Sequence, residues 1–129
     1  MTVSNIPKPT EAELAILNVL WKEGPCTVRN VHDQLYPDQR MAYTTTLKQM
    51  QIMLEKGLVK RDASARTHIY EAVASESKTQ QAMLDSLLDK AFSGSASKLV
   101  MQALGRHKPN AEELKQIRDL LDNLENNPS

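Results

Sequence analysis

A chain of 129 residues, 40% hydrophobic and with equal numbers of acidic and basic side chains, can bury one modest core, or a small core plus an appended element. Its apolar run from Leu14 to Trp21 is interrupted by Asn18 and falls far short of the roughly 20 residues that span a bilayer, and the N-terminus has no basic region leading into an apolar stretch. The expectation is a cytoplasmic protein with no membrane insertion.

The first element announces itself at Thr10-Glu-Ala-Glu13, a capping box in which the threonine hydroxyl and the glutamate side chain each satisfy the other's backbone N–H. Leu14, Leu17, Val19, Leu20 and Trp21 then line a helix that Gly24-Pro25 stops. Cys26 is the single cysteine, so no intramolecular disulfide forms, and it reads as a small half-buried residue. Thr27 can cap a second, short helix with Val28, Val31 and Leu35 at helical spacing, which ends before Pro37. After a turn at residues 37–40, a third helix is expected over about 42–56, closed by Gly57.

Beyond Gly57 the period changes from helical to alternating. Leu58-Val-Lys-Arg61 and His68-Ile-Tyr-Glu-Ala-Val73 read as two strands joined by a polar loop at 62–67. From Ser75 the pattern is helical again. Leu84, Leu87, Leu88 and Ala91 form one apolar stripe, and Leu99, Val100, Ala103 and Leu104 a second beyond the break at 92–96. Asn110-Ala-Glu-Glu113 caps a last helix with Leu114, Ile117, Leu121 and Leu124 at three-and-four spacing. Helices this short are marginal alone in water and need a partner, of which a second copy is the simplest. The fold class is therefore mostly α with a small β-hairpin wing: a winged helix-turn-helix over 1–74 and a helical dimerisation region over 75–129.

Zero net charge argues against a general nucleic-acid coat but conceals an uneven distribution. Between Arg40 and Tyr70 six basic residues (Arg40, Lys48, Lys56, Lys60, Arg61, Arg66) face two acidic ones, Glu55 and Asp62, a local excess of four. In the third helix, Thr46, Leu47, Met50, Met53 and Leu54 make the core face, and the opposite face begins with Thr44, Thr45, Lys48 and Gln51. Two readings fit that polar face: a solvated helix side, or a surface whose hydroxyls, amide and ammonium read the major groove and its phosphates. Arg66 at the hairpin tip has no packing purpose and favours the second, whereas Lys60 and Arg61 equally fit a solvated strand edge that discourages aggregation, the reading favoured for Lys60. With Arg40 and Tyr43 at the entrance to the helix, the candidate contacts to double-stranded DNA are Arg40, Tyr43, Thr44, Thr45, Lys48, Gln51 and Arg66.

His32, His68 and His107 show no paired-ligand spacing, so no metal site is expected. The glycines are scattered, giving no phosphate-cradling loop and no expected cofactor, and no catalytic constellation stands out, so an enzyme is the weakest reading. The rivals to a DNA-binding repressor are a winged helix that holds a protein partner without operator specificity, and a small-molecule sensor with a pocket between the tail helices.

These residues resemble the penicillinase-repressor and methicillin-resistance-repressor family of bacterial winged-helix regulators. The resemblance rests on PTEAELAILNVLWKEGP at 9–25, TVR at 27–29, AYTTTL at 42–47 and EKGLV at 55–59, and continues more loosely through Tyr70 and the tail. It implies a homodimer with interlocking C-terminal helices that represses transcription from inverted repeats, with a role in β-lactam resistance control. It places Thr44, Thr45 and Lys48 toward DNA and Arg66 in the wing, and it makes Leu84, Leu87, Leu88, Leu99, Val100, Leu114, Ile117, Leu121 and Leu124 the dimerisation residues. Lys48 stands where the family often has Thr, and Ile52 where it often has Arg, which implies a half-site departing from the TACA type. The resemblance further implies release by a sensor protease, but Gln102-Ala103 occupies the place of the family's Asn-Phe cleavage bond. The Cys-x-Cys motifs of the copper-sensing branch are absent.

Overall fold

The computed structural model describes residues 7–127; the N-terminal stretch read for a secretion signal begins in residues 1–6, outside the described residues. The elements run α1 (Glu11–Glu23), α2 (Val28–Leu35), α3 (Tyr43–Lys56), β1 (Val59–Asp62), β2 (Ile69–Ala72), α4 (Glu76–Ala91), α5 (Ala96–Arg106) and α6 (Ala111–Asn126). Each boundary has a local cause. Thr10 and Glu13 form the expected reciprocal box, and Gly24, at φ 84°, ends α1. Thr27 caps α2 in a second box that Asn30 completes, a partner the sequence reading did not assign. Gly57 closes α3 in the left-handed conformation at φ 83°, its N–H bonded to the Leu54 carbonyl while the Leu58 N–H reaches that of Met53.

The two strands pair antiparallel, Val59 opposite Ala72 and Asp62 opposite Ile69, so β1 starts and ends one residue later than expected and Asp62 belongs to the strand. A third backbone contact extends this hairpin. Cys26 and Tyr70 exchange N–H to carbonyl bonds of 3.0 and 2.8 Å, which stitch the α1–α2 connection onto β2. Cys26 is consequently buried, not half-buried as expected, because the segment that carries it is held against the hairpin over the core. Burial, reinforced by the charge of Glu23, pushes its thiol pKa up.

Ile16, Leu17 and Leu20 of α1, Val28 and Val31 of α2, Met50 and Met53 of α3, and Leu58, Val59 and Tyr70 of the hairpin meet in one core. Trp21 packs at its margin and donates from its indole N–H to the Ala74 carbonyl at 3.0 Å, tying α1 to the chain that leaves β2. Lys56 reaches across from the end of α3 to both carboxylate oxygens of the buried Glu13, at 2.8 and 2.9 Å. Burial raises the Glu13 pKa, but the bonds from Lys56 and the Thr10 N–H outweigh it and hold the carboxyl below its usual range.

The chain divides into two compact units, one up to Ser86 and one from Leu87. Helix α4 starts at Glu76, one residue past the start expected at 75, and packing carries the first unit on to Ser86, inside α4. Thr79 is buried there, and Lys8 donates to the Ser86 hydroxyl at 3.0 Å. In the second unit Ser95 caps α5, and Asn110 and Glu113 form the expected box at the start of α6.

Candidate nucleic-acid interface

The site is built on α3. Thr46, Met50 and Met53 are buried, with Leu47 and Leu54 packed at the core margin, as the helical spacing required. The opposite side presents Thr44, Lys48 and Gln51 to solvent, with Thr45 half-buried at its edge. Ile52 joins this face and is 40% exposed, an apolar group where a solvated helix side would be polar throughout. No side chain caps the start of α3: Ala42 is its N-cap, and backbone bonds from the Thr45 and Thr46 N–H groups to the Ala42 carbonyl, 3.0 and 3.4 Å, close the first turn.

The α2–α3 turn that delivers this end is shaped by Gln39, which adopts φ 62° and donates its N–H to the Tyr36 carbonyl at 3.0 Å. Arg40 is exposed, its guanidinium 5.5 Å from the centre of the Tyr36 ring. Tyr43 differs from the other candidates in being half-buried: its ring meets the edge of His32 at 5.7 Å and carries the guanidinium of Arg29 at 4.1 Å. Sequence reasoning missed Arg29. Its position in the first turn of α2 gave no signal of the aromatic ring that packs beneath it.

The basic segment is sorted by its partners. Lys56 is spent on Glu13, and Lys60 lies 3.7 Å from Glu71, its cross-strand neighbour. Among the described residues no ion pair forms at Arg40, Lys48, Arg61 or Arg66, and all four are exposed. The wing tip folds back through the Asp62 carboxylate, which accepts from the Ser64 N–H at 2.9 Å. Hydrogen bonds from the Ser64 side chain and backbone hold that carboxyl below its usual range.

Of the residues assigned to dimerisation, Leu84, Leu87, Val100, Leu121 and Leu124 are exposed, and Leu88, Leu99, Leu114 and Ile117 are half-buried. Two further exposed apolar groups were missed: Leu120, and Met101, which is 73% exposed. Gln102 and Ala103 are exposed inside α5, four and three residues before its end. Among the described residues no cluster of metal-ligating side chains occurs, and no helix is long and apolar enough to cross a membrane.

Three helices, a hairpin closed onto them, and a polar face on the third helix define a winged helix-turn-helix of the kind found in DNA-binding regulators. A family model describing the penicillinase repressor matches residues 9–123, so the chain belongs to that family, which is one of transcriptional regulators and not of enzymes. It is 21% identical to the penicillinase repressor of Bacillus licheniformis over 124 residues, covering 96% of this chain and 97% of that one. It is 31% identical over 117 residues to the transcriptional regulator BlaI of Mycobacterium tuberculosis, covering 89% of this chain and 83% of the relative. Among solved structures, a MarR family protein from Bacillus stearothermophilus has a similar fold, with a TM-score of 0.54 at 20% identity over 97% of this chain and 78% of that one.

Proposed function

We propose that the chain represses transcription as a homodimer on a palindromic operator, with α3 in the major groove and the wing beside it. The observation that carries this reading is the sorting of the basic side chains. Structural pairing consumes Lys56 and Lys60, and Arg40, Lys48, Arg61 and Arg66 keep free charges at the turn, the helix face and the wing. Thr44, Thr45, Lys48 and Gln51 supply donors and acceptors to base edges, and Ile52 offers an apolar contact of the kind a thymine methyl takes. The uncapped amides at the start of α3 suit a phosphate, and Arg66 and Arg61 suit the backbone next to the groove. Tyr43 acts by positioning Arg29 and the start of α3.

The exposed leucines of the tail are the proposed dimer surface, and the two-fold axis they create calls for half-sites about one helical turn apart or a multiple of it. Membership of the penicillinase repressor family supports a role in β-lactam resistance control. A sensor protease acting at Gln102-Ala103 would have to unwind part of α5, since the bond lies within that helix.

Fluorescence anisotropy with DNA from the protein's own upstream region and with scrambled DNA, each over a range of salt, tests the reading. Preference for the native sequence is expected, with log K falling against log salt at a slope approaching about −7 if all eight free cations of a dimer meet phosphates. Equal, weak binding to both DNAs would overturn it in favour of a protein-interaction module.

A further inference from the structure

His32 is a fully buried imidazole beside a hydrophobic core of aliphatic, methionine, cysteine and tyrosine side chains. Its Nδ1 lies 2.8 Å from the hydroxyl of Thr46, which is equally buried, so the bond links α2 to α3 directly. Its Nε2 is buried with no hydrogen-bond partner among the described residues. A buried N–H without an acceptor is costlier than a lone pair without a donor, which favours the tautomer that donates from Nδ1 to the Thr46 oxygen. The rings of Tyr36 and Tyr43 stand 5.5 and 5.7 Å from the imidazole, one at each end of the α2–α3 turn.

An apolar residue of similar shape would satisfy this position at less cost, so what His32 contributes is direction. The other deeply buried α3 side chains are Met50 and Met53, unbranched groups that pack equally well over a range of helix rotations. Nor does a side-chain cap fix the start of α3. The His32–Thr46 bond supplies what both leave undetermined, a single preferred rotation, and it acts in the same turns that carry Thr44, Thr45 and Lys48.

We infer that His32 and Thr46 form a buried polar key that sets the rotation of the reading helix, making them positioning residues for sequence discrimination. The inference rests on α3 being the DNA reader. The measurement is the ratio of affinities for native upstream and scrambled DNA at one salt concentration, with thermal melting alongside, in Thr46→Val, Thr46→Ser, His32→Leu and the double variant His32→Leu/Thr46→Val. Thr46→Ser keeps the hydroxyl and is expected to keep the wild-type ratio. Thr46→Val and His32→Leu are expected to lower the ratio about tenfold, comparable to the loss of one base contact, with little change on scrambled DNA. The double variant separates direction from stability: with both polar groups replaced it should melt at or above the wild-type temperature and still lack discrimination. Recovery of the ratio in the double variant, or a wild-type ratio in Thr46→Val, would overturn the key. A wild-type protein that prefers neither DNA would instead overturn the reading of α3, and the key with it.

Discussion

The winged helix and the helices beyond it treat their apolar residues in opposite ways. Up to Ser86, Ile16, Leu17 and Leu20 of α1, Val31 of α2 and Val59 of the hairpin are driven to 3% exposure or less, and the polar Glu13 is buried with its partner in place. From Leu87 onward no described residue is buried, although α5 and α6 are well capped and carry leucine, valine and methionine at regular helical spacing. Caps and propensity start a helix without giving it a core. The first region is complete as one chain, and the second has the composition of an interface that a single chain does not close.

Charging the open region should therefore have the largest functional effect and leave the closed one intact. In the double variant Leu121→Glu/Leu124→Glu, two exposed side chains become incompatible with an apolar contact. The proposed dimer is expected to dissociate in sedimentation experiments, and affinity for a two-half-site DNA to fall by about 10²-fold or more, because the second winged helix no longer binds intramolecularly. Melting of the winged helix should stay where it was. A stable dimer in this variant would move the interface elsewhere.

The converse substitution attacks the closed region. Trp21→Ala removes a large ring from the core margin and the indole bond to Ala74, and is expected to cost about 3 kcal/mol, read as a lower denaturation midpoint. Lys56→Met should cost less, about 1–2 kcal/mol, since the lysine itself is partly solvated and only Glu13 is deeply buried. It also changes the acid limb. The folded Glu13 carboxyl lies below its unfolded value, so its contribution is complete above the ordinary carboxylate range and is lost as pH falls through the folded value. Urea melts of wild type and Lys56→Met should therefore differ at neutral pH and converge as pH falls below the folded carboxyl's range; an equal offset at both pH values would mean that the charge pair contributes nothing.

What the sequence disclosed follows the same division. Local signals were legible: the boxes at Thr10 and Asn110, the stop at Gly57, and the inward face of Thr46, Met50 and Met53 are fixed by residues three or four apart. Contacts between distant positions were not. The Cys26–Tyr70 bridge, the Glu13–Lys56 pair, the His32–Thr46 bond and the seat of Arg29 on Tyr43 each join separate elements, and no spacing rule encodes them. For the site this matters most at Lys56, which adds to the basic excess in the sequence yet is neutralised in the fold. The tail gave a different result. Its stripes were visible, but Leu120 and Met101 were left off them although Leu120 stands three residues after Ile117 and Met101 three before Leu104, because the exposed band on each helix is wider than the single stripe traced.

The smallest expected effect is the finest test of how charge is divided within the closed region. Lys60 and Arg66 are both exposed cations of the wing, close in sequence and indistinguishable by net charge. Lys60 faces Glu71 across the strand pair at 3.7 Å, whereas Arg66 sits in the loop between β1 and β2 with no ion-pair partner among the described residues. A cation already beside a carboxylate gives back part of any phosphate contact it makes, and one free in solvent does not. Arg66→Ala is accordingly expected to weaken binding to native and scrambled DNA alike, by about tenfold per dimer, and to reduce the salt slope by about 2, one for each wing. Lys60→Ala should leave both within about twofold, and Glu71→Gln, by freeing Lys60, should strengthen binding slightly. If Lys60→Ala and Arg66→Ala had equal effects, position in the wing and not pairing would decide which charges reach the backbone.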